Sequence, residues 1–100
     1  MVDLLRVVGF DWDDGNVRKS VDKHAVTQSE AEQVFVGERL LLTDDVGHSA
    51  VEALYQALGE TLNGRRLHVS FTLRQGGTLI RIISARDMNR KERARYEAEA

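Results

Sequence analysis

The most regular pattern in this sequence is an alternation of apolar and polar side chains over residues 67–73. Polar residues separate four apolar ones, Leu67, Val69, Phe71 and Leu73. A period of two predicts a strand with one buried face. The glycine-rich stretch 75–77 then predicts a turn, and the β-prone run 78–85 predicts the second strand of a hairpin.

Residues 51–61 carry two competing patterns. The spacing of Leu54 and Leu58 by itself favours a helix. However, Asn63-Gly64 follows directly, and this pair is a strong signal for a type I′ hairpin turn, which joins two strands. We therefore expect residues 51–61 to form a strand that pairs with residues 67–73.

Two further apolar runs predict extended structure. Residues 39–43 have the length of a strand, and the stretch 44–47, Asp-Asp-Val-Gly, predicts a turn after it. Residues 4–8 predict a short strand or extended segment. We expect the nearby Phe10 and Trp12 to anchor the core, because large aromatic side chains near a strand end mainly contribute buried area.

The N-terminal half also contains two helix signals. Two valines four residues apart form an apolar stripe that predicts a helix over residues 14–24. Thr27 and Glu30 form a capping box ahead of apolar residues at helical spacing, so a second helix is predicted to begin near Gln28.

A final, strongly charged helix is predicted over residues 90–97, where Asn89 can act as its N-cap. Together these elements predict an α+β fold. It has N-terminal helices, an antiparallel β meander of three to four strands and a C-terminal helix.

The composition limits the functions that this fold can carry. A length of 100 residues fits one domain over residues 1–100. The absence of cysteine excludes disulfides, thiolate metal sites and cysteine nucleophiles. No apolar run reaches the roughly 18 residues of a membrane helix, so we expect a cytoplasmic location.

The net charge of -2 conceals an uneven distribution. Residues 1–60 hold 5 basic and 12 acidic residues, whereas residues 61–100 hold 9 basic and 4 acidic residues. The C-terminal part is therefore expected to present a basic surface, as proteins that bind nucleic acids do.

Several motifs, in a fixed order, carry a resemblance to a known family. They are Phe10-Asp11-Trp12-Asp13, Lys23-His24, a glycine–arginine hairpin between Leu58-Gly59 and Phe71-Thr72, Arg81-Ile82-Ile83-Ser84-Ala85-Arg86, Glu92-Arg93 and Tyr96. In these motifs the chain resembles the BrnT family of bacterial type II toxins.

The resemblance implies a fold similar to that of RelE-type toxins. It also implies an endoribonuclease that cleaves RNA without a metal or cofactor and so inhibits translation. The implied partner is a DNA-binding antitoxin of the BrnA type. The complex with it would bind operator DNA, and the toxin would form a dimer or a heterotetramer with the antitoxin.

Metal-independent RNA cleavage needs a group that takes the proton of the 2′-hydroxyl and cations that hold the phosphate. Arginine suits the phosphate because its planar fork binds two oxygens. With the resemblance, this gives five candidate catalytic residues, Lys23, His24, Arg81, Arg86 and Tyr96. The candidate RNA-binding residues are Arg65, Arg66, Arg90 and Arg93.

Strand periodicity separates the two arginines of the family motif. Arg81 and Arg86 are five residues apart, so alternation puts them on opposite faces unless the strand twists or ends between them. Arg86, near the start of the last helix, is then the stronger candidate.

Structural roles compete with these assignments. Salt bridges with Asp87 and Glu92 would occupy Arg86. A position near a helix C-terminus would account for His24, and a place in the core or an interface would account for Tyr96.

The chain also departs from the family pattern. Family members often carry Lys in place of Asn16, Asn in place of Ser20, Gly in place of Ala25 and Arg near Ala53. These departures leave open a second function, in which a catalytically weak or inactive toxin fold serves as an antitoxin-binding interaction module.

Overall fold

The computed structural model describes residues 4–12, 25–48 and 53–100, with the backbone alone described at 44–48 and 53. The helix predicted over residues 14–24 lies outside these ranges. The described elements are strands β1 (Gly9–Phe10), β2 (Leu41–His48), β3 (Ala53–Glu60), β4 (Arg66–Arg74) and β5 (Leu79–Asp87), and helices α1 (Gln28–Val36) and α2 (Arg90–Glu99). None of these helices is both long and apolar enough to span a bilayer.

The strands form one sheet in the order β1-β5-β4-β3-β2. Strands β2 to β5 are the antiparallel meander that the sequence predicts, and residues 51–61 do contain a strand. The α+β class is confirmed, but the sheet has five strands because β1 adds in parallel to β5, with Gly9 opposite Leu79. A two-residue strand is too short to show a periodicity in the sequence.

Strand β2 continues through residues 44–47, where a turn was predicted. The pairs Thr43–Gln56 and Gly47–Leu54 place three residues of β2 opposite one residue of β3. The prediction of a turn was therefore wrong, because this stretch forms an irregularity of the bulge kind within the strand.

The turn predicted at Asn63-Gly64 is present but is of another type. Gly64 has φ 82°, whereas Asn63 is not among the described residues with positive φ, which a type I′ turn requires. The Gly64 N–H donates to the Thr61 carbonyl at 2.9 Å, and the Thr61 N–H donates to the Arg65 carbonyl at 2.9 Å. This is the three-residue hairpin loop in which a left-handed glycine forms a bulge.

Helix α1 covers one face of the sheet, and its capping box forms as predicted. The Glu30 backbone N–H donates to the Thr27 hydroxyl at 3.1 Å, and the Thr27 backbone N–H donates to the Glu30 carboxylate at 3.0 Å. Ala31 and Val34 pack against the main core, whose sheet residues are Ala57, Leu67, Val69, Phe71, Ile80, Ile82 and Ala85. Phe10 and Trp12 also pack against this core.

Helix α2 lies on the opposite face, and Asn89 is its N-cap, as predicted. Tyr96 is fully buried against Leu58 and Met88, with Leu41 packed beside them. Apart from Tyr96 and the half-buried Glu92, the side chains of α2 are exposed. The helix therefore covers only one end of this face, and polar side chains occupy the part beside it.

Candidate active site

Two rows of side chains cross the sheet on the face that α2 partly covers. The first row is Leu41, Leu58, His68 and Arg86, each directly opposite the next on the neighbouring strand. The next row along the strands is Thr43, Gln56, Ser70 and Ser84. Helix α2 packs on the apolar half of the first row, which leaves His68 and Arg86 at its edge.

Arg86, Glu92 and His68 form a compact group, which we call the acid–base cluster. The Arg86 guanidinium donates from Nη1 to one Glu92 carboxylate oxygen at 2.8 Å and from Nη2 to the other at 3.0 Å. The same carboxylate lies 3.7 Å from Nε2 of His68. The end of β5 positions Arg86, the first half of β4 positions His68, and the first turn of α2 positions Glu92.

The cluster holds its three side chains in defined protonation states. Burial lowers the pKa of His68 below its ordinary value of 6.5, Glu92 opposes this shift and Arg86 adds to it, so the imidazole is neutral at pH 7. Burial alone would raise the pKa of Glu92, but the hydrogen bonds from Arg86 and from the Asn89 backbone outweigh it and the net shift is downward. The cluster thus combines a cation, a carboxylate and a neutral base.

Arg86 keeps some of its hydrogen-bonding capacity. Its Nη1 also donates to the Asp87 carbonyl at 3.1 Å. These contacts use three of the five N–H donors of a guanidinium. With its side chain 36% exposed, Arg86 can therefore bind an additional anion without first breaking every contact to Glu92.

A bulge in β5 brings Arg81 to the same face as Arg86. Ser84 pairs with Ser70 and Ile82 pairs with Phe71, so Ile83 is an extra residue without a partner in the ladder. Because of this extra residue, Arg86 lies opposite His68 and Arg81 lies opposite Thr72. His68 and Thr72 are four residues apart on β4, so the two arginines lie on the same side of the sheet. The expectation that alternation separates the two arginines was wrong, since a bulge shifts the alternation by one residue.

Arg81 is held in an ion pair rather than presented free. Its Nη1 lies 3.6 Å from the carboxylate of Asp11, which directly follows β1. The two cations of the polar face therefore differ in their surroundings, because Arg86 is paired across to α2 and Arg81 is paired to the N-terminal segment.

The other candidate catalytic residues lie elsewhere. Lys23 and His24 fall outside the described residues. Tyr96 is fully buried, and its hydroxyl has no hydrogen-bond partner among the residues that the structure describes. The guanidinium carbons of Arg39 and Arg66 lie 4.9 and 5.6 Å from its ring centroid. In this position Tyr96 anchors α2 to the sheet.

Arg65 and Arg66, predicted to contact RNA, are both engaged in internal ion pairs. Arg65 donates from Nε to Asp87 at 2.7 Å and from Nη1 to Glu30 at 3.1 Å, and these contacts raise its pKa. Arg66 donates to Glu60 at 3.0 Å and to Glu97 at 2.6 Å. Both arginines connect the hairpin to neighbouring elements.

Arg90 and Arg93 are exposed on α2, as binding residues should be. Neither makes an ion pair with any described residue. Arg93 borders a shallow cleft with Gly64 and Asp87, on the hairpin side of the helix.

Sequence reasoning missed His68 as a member of the site and named Glu92 only as a salt-bridge partner of Arg86, a contact that the structure shows. His68 carried a usable signal, because it is a titratable residue on the polar side of the clearest strand. The proximity of His68 to Glu92 depends on where α2 crosses the sheet, which no local pattern gives. Within the described part of the chain, no group of three His, Cys, Asp or Glu side chains could hold a metal ion.

Comparisons with known proteins agree with this architecture. A family model described as "Ribonuclease toxin, BrnT, of type II toxin-antitoxin system" matches residues 12–92. The 1.1 Å crystal structure of the Brucella abortus ribonuclease toxin BrnT is similar, with a TM-score of 0.59 and 18% sequence identity. That match covers 84% of this chain and 100% of the other, and it shows a shared fold. No protein with a curated description matches the chain.

Proposed function

Because the chain belongs to the BrnT family of ribonuclease toxins of type II toxin–antitoxin systems, we propose that it is a metal-independent endoribonuclease that inhibits translation. The observation that carries this proposal is the acid–base cluster, which adjoins a polar, partly exposed sheet face. Its neutral base and its cation are two of the groups that cleavage by the 2′-hydroxyl requires, one to take the proton and one to hold the phosphate.

In the proposed reaction Arg86 binds the scissile phosphate through its remaining N–H donors. His68 accepts the proton of the 2′-hydroxyl, and the 2′-oxygen attacks phosphorus while the bond to the 5′-oxygen breaks. Glu92 stabilises the imidazolium that forms, because an adjacent carboxylate favours the charged form. Lys23 and His24 remain the proposed donors of a proton to the leaving 5′-oxygen.

The proposed regulation follows from the same family. An antitoxin of the BrnA type would neutralise the enzyme in the cytoplasm, and the complex, a dimer or a heterotetramer, would bind operator DNA. The excess of acidic residues in the first 60 positions suits a basic partner, because complementary charge accelerates and orients association.

The direct test is cleavage of a mixed-sequence RNA by the purified protein in a buffer with EDTA. We expect Arg86→Ala and His68→Ala to lower the cleavage rate by about a hundredfold or more, the usual effect of losing a general base or a charge-stabilising donor. Arg95→Ala on α2 is the control, since Arg95 pairs with Glu99 and is not assigned to the chemistry. Cleavage by both cluster variants at the wild-type rate would refute the proposed site.

One observation favours the second candidate function, an antitoxin-binding module with little or no catalysis. Glu92 occupies two donors of Arg86 in the same way that a phosphate would. If this module is the function, strong expression leaves growth unimpaired and the protein still binds a BrnA-type antitoxin tightly. If the first candidate is right, expression arrests growth and Arg86→Ala relieves the arrest.

A further inference from the structure

The second of the two rows on the sheet face is polar throughout and has no part in the proposed chemistry. Its four members, Thr43, Gln56, Ser70 and Ser84, lie opposite one another on four adjacent strands. None of them carries a charge, and the last three are partly exposed. Uncharged hydrogen-bonding groups in a line contribute little to phosphate binding but suit the edge of a nucleobase.

Within this row the Gln56 side chain is held in one orientation. The Ser70 hydroxyl donates to Oε1 of Gln56 at 2.9 Å. The amide Nε2 has no partner among the described residues, so both of its N–H donors are available. A fixed amide with open donors can recognise a partner without a large loss of side-chain entropy.

Thr43 closes the row at β2. Its side chain is 6% exposed, and its Oγ1 has no hydrogen-bond partner among the residues that the structure describes. A buried hydroxyl without a partner is unfavourable unless something else completes its hydrogen bonding. Because Thr43 is buried, it bounds the row at β2, and the open donors of the row are those of Gln56.

The two arginines of the polar face lie on either side of this row. Along β4, their partners His68 and Thr72 are four residues apart, a distance of about 13 Å at the rise of a strand. Ser70, a member of the row, lies midway between them. An RNA strand that contacts Arg86 and runs along β4 toward Arg81 would therefore pass over the row.

We propose that this row is a nucleobase subsite in which Gln56 is the specificity-determining residue. Nε2 of Gln56 donates to a ring nitrogen or carbonyl oxygen of the base next to the scissile phosphate, and Ser70 fixes the amide for this contact. The inference rests on the proposed function, because it assigns a recognition step to the same polar face.

The test compares wild-type protein with Gln56→Ala, Gln56→Glu and Ser70→Ala in two measurements. The first maps cleavage positions on a mixed-sequence RNA. The second measures, by fluorescence anisotropy, binding of short 2′-deoxy homopolymers of adenine, cytosine and uracil, which cannot be cleaved through a 2′-hydroxyl. Gln28→Ala is the matched control, because Gln28 lies on helix α1, which covers the opposite face of the sheet. Circular dichroism checks that each variant is folded.

We expect the wild-type preference among bases to weaken about tenfold or more in Gln56→Ala, the size of one good amide–base contact. Gln56→Glu should shift the preference toward bases that donate a hydrogen bond, and Ser70→Ala should weaken it by a smaller factor. Gln28→Ala should leave it unchanged.

The two measurements separate the subsite from the proposed function. Wild-type protein that cleaves RNA, with Gln56 variants that keep both the cleavage map and the binding preference, would overturn the subsite alone. Base-dependent binding that Gln56→Ala abolishes, in a protein without any cleavage activity, would overturn the ribonuclease and support the subsite. Binding without any preference in the wild type would overturn the subsite.

Discussion

The exchange Glu92→Gln removes one negative charge from the contact between α2 and β5 and hardly changes its shape. Glutamine can still accept the N-cap hydrogen bond in a capping box, so the start of α2 is preserved. What is lost is the carboxylate that receives two hydrogen bonds from Arg86 at 2.8 and 3.0 Å. The exchange therefore isolates the electrostatic part of the contact.

The magnitude follows from the exposure of the pair. The Arg86 and Glu92 side chains are 36% and 19% exposed, so the pair is neither a solvated surface contact nor fully buried. Hydrogen bonds to charged groups contribute about 1.5–3 kcal/mol, and glutamine retains one neutral bond. We expect the free energy of unfolding at pH 7 to fall by about 1–2 kcal/mol.

The contribution of Glu92 should also depend on pH in a defined direction. The fold lowers the pKa of Glu92 below 4.5. Its stabilising effect is therefore fully present above pH 4.5 and is lost as the pH falls through the folded-state pKa. The difference between wild type and Glu92→Gln should not fall from pH 7 to pH 5, where Glu92 also favours the protonated form of His68, and it should shrink in more acidic solution.

Urea unfolding at several pH values measures this difference. The matched control is Glu99→Gln on the same helix, where the pair with Arg95 is about half exposed, at 48% and 49%. An exposed i,i+4 pair contributes only about 0.3–0.5 kcal/mol. Equal losses from the two exchanges, or no loss from Glu92→Gln, would show that the cluster does not hold α2 as we argue.

Two further exchanges test the packing and the backbone. Gly59→Ala should destabilise the fold by about 1–3 kcal/mol, because the new Cβ would lie 2.8 Å from Cγ1 of Val34. Gly37→Ala is the control and should be tolerated, because the nearest atoms to its new Cβ would lie at 3.6 Å. Ala25→Gly should stabilise the fold by about 0.5–1 kcal/mol, because Ala25 has φ 54° and alanine is unfavourable there. Ala94→Gly, in the exposed face of α2, should instead destabilise by about 1 kcal/mol. Urea unfolding measures the change in the free energy of unfolding for each variant. No loss of stability in Gly59→Ala, or a loss in Ala25→Gly, would contradict the geometry.

Local signals predicted most of the fold. The capping box of α1, the Asn89 N-cap of α2 and the alternation in β4 depend on neighbouring residues and were confirmed. The preference for a strand over residues 51–61 also held, because the Asn63-Gly64 turn outweighed a weaker helical spacing. Two features failed for the same reason. The irregularity at residues 44–47 and the bulge at Ile83 are defined by register with a partner strand, which a single sequence does not contain.

The candidate site was less accessible to prediction. Arg86 was found through a linear motif, but His68 joins it through the register of β4 with β5, and Glu92 meets His68 only through the position of α2 on the sheet. Arg65 and Arg66 were candidates for RNA binding. Most of their carboxylate partners, Glu30, Asp87 and Glu97, are distant in the sequence, so local charge could not show that both are already paired.

The extra residue at Ile83 has a consequence for how β5 tolerates change. Before Ile83 the odd-numbered residues of β5 face the polar side of the sheet, and after it the even-numbered residues do. Deleting Ile83 would leave Ile82 opposite Phe71 and Ser84 opposite Ser70, so Ala85 would still face the core and Arg86 would still face the polar side. The bulge can therefore take up the loss of one residue, whereas a further loss would turn part of the strand to the other side of the sheet.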